Sequence, residues 1–130
     1  MNIFKHKQRL LYLIKKKNEY SIHSPFMFNF YINLIKKNQN KISRLLFLIE
    51  NKFGKQNLIK ISCSYFEYQK IQPQINDCTI ICIINQYNEK ESLLEFDKII
   101  NDPRTIVSVD LFHIALISQN TKLSHQHYIL

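Results

Sequence analysis

Apolar residues recur at helical spacing over residues 3–18. Phe4, Leu10, Leu11, Leu13 and Ile14 gather toward one side and lysines fill the remainder, which predicts an amphipathic helix. Residues 20–24 break the pattern, and Pro25 suits the first turn of a second helix over 25–37, carrying Phe26, Phe28, Phe30, Tyr31, Leu34 and Ile35. A third helix is expected over 41–53, led by Asn40 or Ser43 and closed at Gly54, the one glycine of the chain, where a left-handed cap residue belongs. The period then changes. Residues 58–61 form a short apolar run, and residues 79–84 (TIICII) a continuous one of buried-strand type. Helical spacing returns over 88–101, with Leu93, Leu94, Phe96, Ile99 and Ile100, until Asp102-Pro103 stops it. Residues 105–111, 114–118 and 126–130 read as strands. Helices first, then strand, strand, helix and a strand-rich tail predict an α/β fold built on a small sheet.

At 130 residues the chain is expected to be a single domain, with a helical basic layer over 1–54 and an α/β core over 55–130. Its net charge of +8 is unevenly spread: residues 1–60 carry 13 Lys/Arg against 2 acids, and residues 61–130 carry 5 against 8. Such asymmetry can mark a nucleic-acid or anionic-membrane face, but Ile, Lys and Asn dominate the composition, and lysine inflation through coding bias needs no ligand. No apolar run reaches the ~20 residues of a membrane span, and the stretch Leu10 to Ile14 is too short for a signal segment. A cytoplasmic protein is expected. Cys63, Cys78 and Cys82 are odd in number, sit in apolar surroundings and lack a CxxC pair, so buried reduced thiols are expected rather than a disulfide framework or a zinc site.

Two segments carry a resemblance. One is RLLYLIKKKNEYSIHSPFMFNFYINLI at residues 9–35, containing His23-Ser24-Pro25-Phe26. The other is FDKIINDPRTIVSVDLFHIALI at residues 96–117, where a helix ends in an Asp-Pro-Arg turn and runs into a strand. In this order, and with the tail 125–130, they resemble the two ends of a Bacteroidetes family of class I S-adenosylmethionine (SAM) dependent methyltransferase-like proteins. The resemblance implies a reduced Rossmann-like, mostly parallel sheet with an antiparallel C-terminal edge. It also implies a vestigial cofactor region at Ser62, Cys63, Ser64 and Asn85, and a substrate or partner surface at His23, Ser24 and Phe26.

The middle of the chain departs from that family. A nucleotide-binding doubly wound fold follows its first strand with a glycine-rich loop that lets the cofactor approach the backbone. Here the strand runs into Ser62-Cys63-Ser64-Tyr65-Phe66-Glu67, without glycine, and Lys60 stands where an acid is common. The second strand ends in Ile84-Asn85 rather than in an acidic pair, so no carboxylate is available there as a base. Fewer than twenty residues separate the first strand from Thr79, too few for the further βα units of ~30 residues each that a full methyltransferase sheet uses. The expected function is therefore a degenerate methyltransferase-like domain that binds or interacts without catalysis, and no cofactor is expected. Two alternatives remain open. The first is an active SAM-dependent enzyme whose site is rebuilt around residues 62–66 or completed by a homodimer, since a shortened sheet exposes edges. The second is a small basic RNA-binding protein using Lys15, Lys16, Lys17, Lys36, Lys37 and Arg44, with Tyr12, Tyr20 and Tyr31 available to stack on bases.

Lesser constellations have plain readings. Ser24 is expected to cap the second helix, with His23 in a local contact. His125 and His127, two apart, would share a strand face, and with His113 or a cysteine could approach a metal, although nothing specifies a full ligand set. Asp110 closes a strand, where a turn or helix-end contact is expected.

Overall fold

The computed structural model describes residues 3–15 and 41–130. In chain order these form helix α1 (Ile3–Lys15), helix α2 (Ile42–Phe53), strand β1 (Leu58–Ser62), a short helix α3 (Tyr65–Lys70), strand β2 (Ile80–Ile84), helix α4 (Lys90–Ile100), and strands β3 (Val107–Asp110), β4 (Ile114–Ser118) and β5 (Gln126–Ile129). The sheet order is β1-β2-β4-β3-β5. β1 pairs parallel with β2, and β3 parallel with β5, while β4 runs antiparallel to both of its neighbours. The expected α/β mixed sheet is present. Its antiparallel member comes from the C-terminal part of the chain, but it is inserted between β2 and β3; the edge strand β5 is parallel. The reason is local: Leu111 to His113 reverse the chain tightly, so β4 must lie beside β3, whereas residues 119–125 are long enough to return β5 to the other side of β3 in the same direction.

The two sheet faces pack separate layers. On one face, Ile80, Cys82, Val107, Val109, Leu116 and Tyr128 bury against Leu45 and Ile49 of α2. On the other, Ile61, Ile81, Ile83, Ala115 and Ile117 bury against Tyr68 and Ile71 of the α3 region and Phe96 and Ile99 of α4. The continuous apolar run of β2 is thus explained by helices on both sides. α1 lies at the end of the sheet. Its Tyr12 is buried with Tyr87 and Phe112 and donates to the carbonyl of Leu130.

Several local expectations change. Residues 65–67, read as part of a loop, open a helix that runs to Lys70, with Ser64 as its N-cap, its Oγ accepting from the Glu67 N–H at 3.3 Å. α2 starts after Lys41 without a side-chain cap, and Ser43 lies within the helix rather than leading it. Gly54 does close α2 with a positive φ of 95°, and its N–H reaches the Glu50 carbonyl at 2.8 Å. Cys82 is buried and Cys63 half-buried, but Cys78 is exposed; all three are free thiols.

Candidate functional site

The parallel register of β1 and β2 sets Ser62 opposite Ile84, so the segments holding Ser62, Cys63, Ser64 and Asn85 emerge side by side at the carboxyl ends of the two strands. This is where an open α/β sheet ordinarily accepts a ligand. Here the position is closed from within. Ser64 caps α3, the Tyr65 N–H points to the Glu95 carboxylate at 3.4 Å, and the Cys63 thiol points to the Ser92 carbonyl at 3.1 Å. Burial pushes the Cys63 thiol up to about 12, and the charges of Glu95 and Asp97 push in the same direction, so it is an inert thiol rather than a nucleophile. Glu95 is itself held by Lys98 at 3.0 Å. Asn85, exposed with φ of 65°, turns the chain away from β2. The residues present do not fit SAM: the Glu95 carboxylate stands against the turn, the turn after β1 is Ser62-Cys63-Ser64 without glycine, and α3 has only 6 residues.

The polar chemistry of the sheet lies on its other half. Ser108 pairs in register with His127, and Asp110 with Ile129, so these four share the face that β1, β2 and β4 line with isoleucine and alanine. Asp110 is buried and ends β3. Its Oδ1 accepts the Phe112 N–H at 2.9 Å, and its Oδ2 accepts the Tyr87 hydroxyl. The first of these is the turn contact expected for this acid; the second comes from the segment after β2. Ser108 Oγ shares a hydrogen bond with His127 Nδ1, which leaves Nε2 without a protein partner among the described residues. Gln86, fully buried, has both side-chain amide atoms unpartnered among the described residues.

Beside this cluster is a cavity of ≈ 260 Å³, with Tyr12, Tyr87, Phe96, Asp97, Asp110 and His127 in its walls. Burial raises the pKa of Asp110, against the pull of its hydrogen bonds from Tyr87 and the Phe112 N–H, the positive influence of His127 and the neighbouring Gln86 amide. Burial also raises Tyr87, and the Asp110 charge adds to it, so the phenol stays protonated as a donor. The exposed ring of His127 keeps a lowered pKa because the side facing the sheet is desolvated, despite the opposing pull of Asp110 and Asp97. The turn over the cluster is strained. Phe112, almost wholly buried, sits at φ of 70°, a region disfavoured for a bulky side chain. Its ring stacks on Tyr87 at 4.9 Å and tilts against Tyr12 at 5.5 Å, and this packing holds the turn in place. The arrangement provides a buried acid, a phenolic donor and a free imidazole nitrogen around one small space.

The other sequence candidates are dispersed. His23, Ser24, Phe26, Lys16, Lys17, Lys36 and Lys37 lie outside the described residues. Lys15 belongs to α1 at the end of the sheet, whereas Arg44 is exposed on α2, which packs across a sheet face. His125 and His127 do border a common groove, but no group of three metal-ligating side chains is present among the described residues. No described helix is long and apolar enough to cross a membrane. Gln86, Tyr87, Asp97 and Ser108 were not singled out by sequence as site residues. The available signal was alternation: VSVD and QHYI place polar residues at strand positions where a core face calls for apolar ones. No family model, curated protein or solved structure matches the chain.

Proposed function

We propose that the chain is a degenerate relative of the SAM-dependent methyltransferases that works as a non-catalytic binding domain. The observation that carries the reading is the closed turn after β1. Ser64, Glu95 and Ser92 satisfy the polar groups there from within the fold, with Glu67 in the first turn of the short α3 and the Glu95 carboxylate against its start. Methyl transfer depends on holding donor and acceptor in line, and a fold that cannot seat the donor forfeits that contribution. The polar cavity beside β3 and β5 is the space the domain retains for a small ligand.

Calorimetric titration of the folded protein with S-adenosylhomocysteine tests the reading. No saturable heat is expected at millimolar ligand. Micromolar binding, about −8 kcal/mol, would show that the turn opens to a working pocket and would restore the enzyme reading.

A further inference from the structure

The walls of the cavity beside β3 and β5 have an unusual charge for this chain. The protein carries a net +8, yet among the described residues the ionisable groups of the wall are two carboxylates, Asp97 and Asp110, two phenols and a histidine with a lowered pKa, with no lysine or arginine among them. The Asp97 carbonyl accepts the Asn101 N–H at 3.0 Å, but its carboxylate makes no hydrogen bond or ion pair among the described residues. Asp110 has donors, and the neighbouring Gln86 amide helps draw its pKa down, but it has no cationic partner at salt-bridge distance among the described residues. Buried charges are ordinarily paired, so a buried acid without a cation on the wall of a cavity marks a place where a positive group belongs. The described residues do not gather the three ligating side chains a metal ion would require. The remainder of the wall is aromatic and aliphatic, including Tyr12, Tyr87 and Phe96, which suits the body of an organic molecule and the ring faces that attract cations. The chain already uses this chemistry at the neighbouring rim, where the Arg9 guanidinium sits 4.9 Å from the Phe112 ring centre and 5.5 Å from that of Tyr12.

We propose that this cavity binds a small organic cation, an ammonium group on an apolar body, with the ammonium between Asp97 and Asp110 and the body against Phe96, Tyr12 and Tyr87. The proposal rests on the binding-domain reading above. Asp97, exposed on α4, supplies attraction at the mouth; Asp110 supplies the buried charge, oriented by Tyr87 and the Phe112 N–H. The pKa of His127, whose Nδ1 is tied to Ser108, is lowered by desolvation, which limits the positive charge it brings to the wall.

Phenethylamine, 2-phenylethanol and phenylacetate share one body and differ in charge, so calorimetric titration of the protein with the three at pH 7.5 reads the charge preference directly. Saturable binding of the amine at least tenfold tighter than the alcohol is expected, with no binding of phenylacetate. Asp97→Asn is expected to weaken the amine about tenfold, about 1.4 kcal/mol, and to leave the unfolding temperature unchanged, because the side chain is exposed. Equal affinity for amine and alcohol, preference for phenylacetate, absence of amine binding, or indifference to Asp97→Asn would each overturn the proposal. S-adenosylhomocysteine, titrated in parallel, separates the two readings. Heat with that ligand removes the binding-domain reading, whereas silence from both ligands removes only the cation site.

Discussion

Asp110→Asn is expected to stabilise the folded protein at pH 8 while abolishing ligand recognition by the cavity. The carboxylate is buried with hydrogen bonds from Tyr87 and the Phe112 N–H and no formal cation at contact distance among the described residues. An asparagine of the same shape keeps its Oδ1 on the Phe112 N–H and turns its amide nitrogen to the Tyr87 hydroxyl oxygen, so both hydrogen bonds survive in neutral form. Going from charge-assisted to neutral bonds costs about 1 kcal/mol each, about 2 in all. Removing the buried charge recovers several kcal/mol of desolvation, roughly 3–4. The net gain is about 1–2 kcal/mol, or about 3–8 °C in unfolding temperature for a chain of this size. The pH dependence has a definite sign. The pKa of Asp110 is raised in the fold, so its protonated form is favoured there. Its contribution is most favourable below the unfolded value of 3.8 and declines as pH rises through the raised folded value. The groups facing it are Tyr87 and Gln86 after β2, His127 on β5 and the Phe112 N–H; Asp97 on α4 and Tyr12 on α1 share the cavity wall. The gain from Asp110→Asn should therefore be largest at pH 8 and vanish near pH 3.5. Thermal unfolding followed by circular dichroism at four pH values measures it. A variant less stable than the parent at pH 8, or a difference that does not change with pH, would refute the argument that the acid is held at a cost for recognition.

Two further perturbations probe the scaffold. Asp102 accepts the Arg104 N–H at 2.9 Å, Arg104 Nε at 2.9 Å and Nη2 at 2.7 Å, and the Tyr65 hydroxyl at 2.7 Å, and Arg104 beside it holds its carboxyl well below the usual range. Asp102→Ala is expected to cost about 2–3 kcal/mol at pH 7, measured by urea unfolding. The cost should shrink progressively as pH falls from 3.8 toward the depressed folded value, because the stabilisation is full above the unfolded pKa and is lost as the folded group protonates; a penalty that persists undiminished at pH 2 would contradict the assignment. At Gly54, φ of 95° is strained for any L side chain, and an added Cβ would stand 2.9 Å from Gln56 Nε2. Gly54→Ala should lose about 1–2 kcal/mol in the same assay, and an unchanged midpoint would mean that the end of α2 readily adopts another conformation.

What the amino-acid sequence determined on its own was whatever depends on near neighbours. The 3.6-residue spacing of Leu93, Phe96, Ile99 and Ile100 specifies α4, the unbroken apolar run of 79–84 specifies a strand covered on both faces, and Gly54 specifies a helix end, because each is a property of a few adjacent residues. α3 escaped notice because its six residues carry too short a pattern, and its formation rests on a single cap at Ser64. Strand order was beyond reading for a different reason. The insertion of β4 between β2 and β3 depends on which edges are free when each strand arrives, a matter of pairings across tens of residues. The candidate site lies wholly in that second category. Asp110 looked like a solitary acid because Tyr87 is 23 positions away, Ser108 and His127 are 19 apart, and Tyr12 joins Leu130 across 118 positions. In the same way, the closure of the turn after β1 depends on Ser92 and Glu95, about thirty residues downstream. Only the packed sheet, with α1 and α4 set against its polar half, brings these groups together and decides that the ordinary ligand position is filled while the one beside β3 and β5 stays open.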